Sequence, residues 1–205
     1  MNDSVNRRPV NLVWFKRDLR VTDHRPLAQA AESGPCICLY VYEPELLTHP
    51  TTDAAHLDFI AASLTELAQQ LEQRGGRLVT RTGGLPDVFE RLHAERPIAR
   101  IWSHEETGLG VTFERDRRVR AWARRLGVEW IELPNHGVFR PHPERDGWSA
   151  RWRRRMAEPI TPAPARIDGV DGLASDGILT AAELGVAGAP RQQAMPGGIR
   201  AADET

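Results

Sequence analysis

Cysteine is scarce in this chain of 205 residues, which contains only Cys36 and Cys38. A structural zinc site needs a fuller set of Cys or His ligands at fixed spacing than two thiols provide. The stretch CICLYVYE has the composition of a strand, and alternation along a strand puts both thiols on the same face. Such neighbours rarely form a relaxed disulfide, so we expect two buried, unpaired thiols.

Long apolar runs are also lacking. No stretch approaches the roughly 18 consecutive apolar residues of a membrane-spanning helix. The opening MNDSVNRRPV has no apolar segment of the kind that a signal peptide contains. We therefore expect a soluble, cytoplasmic protein that has no membrane partner.

The sequence has no excess of one charge sign, because 27 basic side chains are balanced by 28 acidic ones. This balance excludes a polycation that binds nucleic acid along its whole surface, so any such contact must be local. Lysine is almost absent, since Lys16 is the single one and arginine supplies the remaining cations. Arginine differs from lysine wherever a planar, bidentate donor is needed.

The motifs of the common phosphate and hydrolase sites are missing as well. Neither GxxxxGK[ST] nor GxSxG occurs, and GLGVTF at 108–113 has two glycines of a dinucleotide fingerprint but follows the wrong strand. His104 stands beside Glu105 and Glu106, but no second set of ligands completes a metal or acid–base site. A capping or hydrogen-bonding role is favoured for His104.

What the sequence does contain is a regular alternation of strand-like and helix-like segments. The clearest helix covers 53–74, where apolar residues recur at steps of three and four: Leu57, Ile60, Leu64, Leu67 and Leu71. A second helix is predicted to start at an N-cap of Thr22 or Asp23 and to stop at Gly34. Further helices are predicted at 85–96 and 111–126.

These four helices separate five short apolar runs that have the length and composition of strands. The predicted strands are 10–16, 36–43, 77–83, 100–105 and 128–133. Parallel strands need crossover connections of this kind. The pattern therefore predicts an α/β fold over residues 9–135, a five-stranded parallel Rossmann-like sheet with helices on both faces.

The composition changes after this domain. An exit segment at 136–158 carries Trp148, Trp152 and Met156 on one face of a short, arginine-rich helix. Residues 159–205 are rich in Pro, Gly and Ala, and we expect a linker or a disordered tail there.

Charged residues crowd the ends of two predicted strands. KRDLRVTDH follows the first strand and SHEETGLG follows the fourth, and ligands of such sheets bind beyond the carboxyl ends of the strands. Arg115 falls on the inward face of the helix that follows, where a cation needs a partner. Glu105, Glu106, Asp18 and an anionic ligand are all candidates for that partner.

The opening segment LVWFKRDLRVTDHRPLAQA closely resembles the start of the DNA photolyase and cryptochrome family, which carries a W-[FH]-[RK]-[RQ]-D-L-R-[LV]-x-D-[NH] signature. LYVYEPELL, WSHEETGLGVTFERDRRV and RDGWSARWRRRM support the resemblance, which is strongest to members related to plant cryptochromes. It covers about residues 10–156. It implies an amino-terminal α/β domain that binds an antenna chromophore, which is a folate, a deazaflavin or a flavin according to the member.

The resemblance also implies which side chains border that chromophore. Arg17 and Asp18 stand in the loop after the first strand, and Glu105 and Glu106 in the loop after the fourth. His56 stands where such members often have an arginine. A purely structural role in an ion-pair network is an equal alternative for Arg17 and the favoured one for Asp18.

In the family, FAD and the pyrimidine-dimer pocket belong to a larger helical domain, which contacts DNA and which nothing in this sequence resembles. The resemblance thus implies that this chain needs such a domain as its partner and does not catalyse repair alone. One alternative is an inactive fragment or docking module that binds no chromophore. A nucleotide-binding α/β protein is a further alternative, based on architecture alone.

Overall fold

The computed structural model describes residues 8–135, 146–188 and 197–203. Five parallel strands form one sheet in the order β3-β2-β1-β4-β5, as the alternation of segments predicted. Their bounds are β1 Val10–Phe15, β2 Cys36–Tyr42, β3 Leu78–Thr82, β4 Ile98–His104 and β5 Glu129–Leu133. The helices are α1 Arg25–Ser33, α2 Pro44–Leu47, α3 Ala54–Glu72, α4 Asp87–Glu95, α5 Gly110–Leu126, α6 Trp148–Met156 and α7 Ile199–Asp203.

The sheet has an apolar core on each face, which is why its inner strands are almost continuously apolar. On one face, Trp14 packs edge-on against Phe89 with 5.2 Å between ring centroids. On the other face, Phe15 and Leu64 belong to a second buried cluster, which also holds both cysteines. Cys36 and Cys38 are free and buried, as expected. Burial, with the charge of Asp168 beside it, raises the pKa of the Cys36 thiol to about 12.

The start of α1 differs from the prediction of an N-cap at Thr22 or Asp23. His24 is the N-cap residue, and its Nδ1 accepts a hydrogen bond from the backbone N–H of Leu27 at 3.0 Å. Asp23 has a positive φ of 51° and turns outward, where its backbone N–H donates to the carbonyl of Thr161. An imidazole nitrogen therefore takes the place of the usual hydroxyl or carboxylate oxygen.

Part of the segment after α6, where the composition predicts a linker or a disordered tail at 159–205, packs against the domain. Ile167 and Leu173 are buried against the domain. The backbone N–H of Cys36 donates to the carbonyl of Asp168 at 2.8 Å, and the N–H of Asp176 donates to the carbonyl of Thr80 at 3.0 Å. Thr80 belongs to the edge strand β3, and Cys36 begins β2 before the pairing of β2 with β3 starts, so this segment satisfies backbone groups that the sheet leaves unpaired.

The α6 helix places Trp148, Trp152 and Met156 on one exposed face, and the two indole rings stack with 6.3 Å between centroids. The part of the predicted exit segment at 136–145 lies outside the described residues. Within the part of the chain that the structure describes, no helix is both long and apolar enough to cross a membrane.

Candidate functional site

A cavity of about 820 Å³ opens at the carboxyl ends of β1 and β2. Strand order reverses between β1 and β4, so the loops that follow these strands diverge and leave a crevice. The long helix α3 forms the opposite wall with Leu57 and Ile60. Tyr40 and Tyr42 contribute aromatic surface from β2, and their rings meet edge to face at 5.1 Å.

A buried arginine surrounded by carboxylates forms the charged end of the cavity. Arg115 is 2% exposed, and its guanidinium bonds Glu43 at 2.8 Å, Glu106 at 2.5 Å and Asp116 at 2.9 Å. The same group lies 4.7 Å from the ring centroid of Trp14. The prediction that Arg115 points inward to a charged partner is therefore confirmed, and Glu106 is one of the predicted partners.

This arrangement shifts the pKa of Glu43 and of Arg115. Burial is the largest influence on Glu43, and together with the charges of Glu106 and Asp116 it raises the pKa of that carboxyl to about 7 although Arg115 opposes the shift. Burial alone would lower the pKa of Arg115, but the three carboxylates outweigh it and raise that pKa. Arg115 stays charged, while Glu43 can exchange a proton near neutral pH.

Arg17 lies at the edge of the cavity, directly after β1. Its Nε is 3.1 Å from Oε1 of Glu106, while its side chain is 64% exposed. Glu106 therefore joins a buried cation, Arg115, to an exposed one. Because the side chain of Arg17 is exposed and a guanidinium has five N–H donors, donors other than Nε are accessible to a ligand.

Asp18 lies behind the cavity rather than in its wall and connects two histidines. Its Oδ2 is 2.5 Å from Nδ1 of His104 and 2.9 Å from Nε2 of His24, while Oδ1 accepts the backbone N–H of Lys16 at 2.9 Å. Burial alone would raise the pKa of Asp18, but the charge of His24 and the hydrogen bond with His104 hold it well below its usual range. Burial lowers the pKa of His104.

The ligand atoms of Asp18, His24 and His104 lie within 4.8 Å of one another, as in a metal site. The hydrogen bonds indicate a different arrangement. Nδ1 of His24 accepts the N–H of Leu27, so a ring proton sits on Nε2, the atom that faces Asp18. A metal ion bound at Nε2 would require this proton to move to Nδ1, where it would face the N–H of Leu27, which is itself a donor. The cluster is therefore a hydrogen-bonded anchor for the loop after β1.

Residues 11–147 match the DNA photolyase family. The chain belongs to the DNA photolyase family. It is 30% identical over 185 residues to the deoxyribodipyrimidine photo-lyase of Halobacterium salinarum, a match that covers 78% of this chain and 37% of the relative. It is 38% identical over 161 residues to Cryptochrome-1 of Arabidopsis thaliana, a match that covers 74% of this chain and 23% of the relative.

Solved photolyase structures share the fold. An archaeal photolyase from Sulfolobus tokodaii, whose structure is described as having two FAD molecules and as implying a novel light-harvesting cofactor, superimposes with a TM-score of 0.67 at 20% identity, over 82% of this chain and 40% of that one. The chain thus spans less than half the length of these two photolyases and of this cryptochrome. It corresponds to their amino-terminal α/β domain.

The structure brings three of the five predicted site residues of this photolyase-family domain to the cavity wall: Arg17, His56 and Glu106. Asp18 is instead buried in the histidine cluster. Glu105 is exposed and does not line the cavity, and its backbone N–H donates to the carbonyl of Leu133 at 2.8 Å, which extends the pairing of β4 with β5. The side chain that follows next, Glu106, turns inward to Arg115.

Sequence reasoning missed Glu43, the cavity-lining partner of Arg115. A signal for it was present, because Glu43 directly follows a buried strand that neighbours the point where strand order reverses. An acidic residue at that place is at the predicted binding edge. Recognising Glu43 as part of the site requires the order of the strands in the sheet.

Proposed function

We propose that this domain binds an antenna chromophore, a folate, a deazaflavin or a flavin, in the cavity at the carboxyl ends of β1 and β2. The observation that carries the proposal is the cavity itself. Its volume of about 820 Å³ falls within the range of roughly 300–1,000 Å³ that small-molecule sites occupy. It combines aromatic walls with charged groups at one end, which is the chemistry that a planar heteroaromatic ring requires.

Three side chains are proposed to hold the chromophore. Arg17 and His56 are exposed donors at the rim and suit an anionic substituent such as a phosphate or carboxylate. Glu106 supplies carboxylate oxygens that accept from ring N–H groups, and Arg115 fixes its position. Asp18 acts indirectly, by holding the loop that carries Arg17. Glu105 is left without a ligand role in this proposal.

The bound chromophore would supply absorption of near-ultraviolet or blue light. We further propose that the domain passes this excitation to FAD in a helical domain, and that DNA contact and dimer repair or photoreception belong to that domain. The proteins named above are photolyases and a cryptochrome. The proposed compartment is the cytoplasm, where the unpaired Cys36 and Cys38 are expected to stay reduced.

The test is an absorption spectrum of the purified chain before and after addition of flavin mononucleotide, a deazaflavin and a reduced folate. We expect one of them to bind with a shifted spectrum, and Arg17→Ala to weaken that binding by about tenfold. Arg117→Ala is the matched control, since Arg117 is an exposed arginine on α5 paired with Glu114.

A folded chain whose spectrum none of the three ligands changes would contradict the proposal. The inactive fragment or docking module would then be favoured. A rise in the unfolding temperature with ATP, and with none of the three chromophores, would favour a nucleotide-binding protein instead.

A further inference from the structure

The carboxy-terminal segment at 197–203 lies against the cavity rather than away from the domain. Gly198 and Ile199 line the cavity, together with Phe59, Ile60 and Ser63 of α3. A segment that the composition assigned to a linker thus forms part of the wall of a ligand-sized space.

We propose that residues 197–203 are a cap that closes the α3 side of the cavity and slows the exchange of the ligand inside it. The claim that the cap slows ligand exchange rests on the proposed function. The claim that residues 197–203 are held against α3, which we call the seating of the cap, does not.

A pair of glycines allows the cap to lie directly on α3. A Cβ at Gly197 would overlap the backbone carbonyl oxygen of Phe59, and a Cβ at Gly198 would overlap the carboxylate of Glu66. Gly198 also has a φ of 106°, which L residues with side chains rarely adopt. The close approach buries Ser63, a polar residue of α3 that is only 5% exposed.

Glu66 holds the cap at the start of α7. Its two carboxylate oxygens accept the backbone N–H of Arg200 at 3.2 and 3.3 Å, and Oε1 also accepts Nε of Arg200 at 2.7 Å. The side chain of Arg200 is 77% exposed, whereas that of Glu66 is 10% exposed. An exposed ion pair contributes little, so the buried carboxylate and the backbone N–H are the main clamp.

The seating of the cap can be measured without any chromophore. Ser63→Cys places a thiol beneath Gly197, and its rate of modification by a thiol reagent reports how often the cap opens. Cys36 and Cys38 react slowly by comparison, because both are buried and burial raises the pKa of both thiols.

Two variants should open the cap in the full chain that carries Ser63→Cys. Gly197→Ala blocks the close approach, and Glu66→Gln removes the charged acceptor while keeping its shape. Each should raise the modification rate by about tenfold, Glu66→Gln because it weakens hydrogen bonds to a carboxylate and Gly197→Ala because its Cβ would overlap the carbonyl oxygen of Phe59. Gly84→Ala and Glu72→Gln are the matched controls, because nothing lies within 4 Å of a Cβ at Gly84 and Glu72 is exposed on the same helix.

The second measurement is the dissociation rate of flavin mononucleotide from the same variants without Ser63→Cys. Gly197→Ala and Glu66→Gln should accelerate release by a similar factor, and the controls should not. If flavin mononucleotide binds but leaves all variants at the wild-type rate, the cap does not control exchange. If the thiol is modified equally fast in every variant, the cap is not seated and the inference is wrong. Absence of flavin binding would count against flavin mononucleotide as the ligand, while the thiol rates would still decide the seating of the cap.

Discussion

The guanidinium of Arg115 on α5 bonds the carboxylate of Glu43 at the end of β2 with 2.8 Å between Nη1 and Oε1. The pair connects the end of β2 to the helix that follows β4, and β2 and β4 flank β1 in the sheet. Both side chains are buried, and both line the cavity. A contact of this kind sets the shape of the charged end of the cavity, and its energy depends on protonation.

Arg115→Met should strongly destabilise the domain. The substitution keeps an unbranched chain over Trp14 but leaves Glu43, Glu106 and Asp116 without their shared cation. Removing one partner of a buried ion pair typically costs about 3–5 kcal/mol of the free energy of unfolding. Urea unfolding at pH 8 measures this cost, and Arg117→Met on the exposed face of the same helix is the control. A loss no larger than that of the control would show that the carboxylates do not depend on Arg115.

The pKa of Glu43, raised to about 7, predicts a particular dependence on pH. Because this pKa exceeds the ordinary value of 4.5, the folded chain binds more protons than the unfolded chain between these values. The contribution of Glu43 to stability is therefore fully present below about pH 4.5 and is lost as the pH rises through 7. Across this pH range, the free energy of unfolding of wild type should fall by about 2–4 kcal/mol relative to that of Glu43→Gln.

Urea unfolding of wild type and Glu43→Gln at pH 5, 6, 7 and 8 tests this prediction. Glu45→Gln is the control, since Glu45 is an exposed acid that follows two residues later. If the free energies of unfolding of wild type and Glu43→Gln change in parallel with pH, Glu43 titrates near its ordinary pKa. The electrostatic description of the cavity would then be wrong.

Asp18 predicts the opposite pH dependence. Its pKa lies well below the ordinary value of 3.8, so its contribution is present above that value and is lost as the pH falls through the lowered pKa. Asp18→Asn should lower the free energy of unfolding by about 2–3 kcal/mol at pH 7, because the charged carboxylate between His24 and His104 is replaced by a neutral amide. The cost should shrink below about pH 4.

Unfolding of wild type and of Asp18→Asn at pH 7 and at pH 2.5 measures both parts of this prediction. Asp58→Asn, an exposed carboxylate on α3, shows how much of the change is due to net charge alone. An equal cost at both pH values would point to lost packing instead of a lost charge.

The fold and part of the site could be predicted because they depend on local patterns. Apolar residues at spacings of three and four placed α3 correctly, and the rotation of 100° per residue of a helix placed Arg115 on the inward face of α5. The pairing of Arg115 with Glu43, which follows β2, depends on the position of β2 beside β1, and local patterns do not contain that strand order. The buried segment around Ile167 was missed for a related reason: its hydrogen bonds are between backbone groups, and its buried apolar residues are too sparse to show a period.

His56 offers a direct test of how the cavity recognises an anionic ligand. It lies in the first turn of α3, is exposed, and lines the cavity. A guanidinium presents more donors than an imidazole, in a fork that matches phosphate. His56→Arg should therefore tighten binding of flavin mononucleotide by about three- to tenfold, whereas His49→Arg, on the loop before α3, should not. Riboflavin, which lacks the phosphate, should bind both variants as it binds wild type. A gain for riboflavin as large as that for flavin mononucleotide would show that position 56 contacts the ring and not the anionic end.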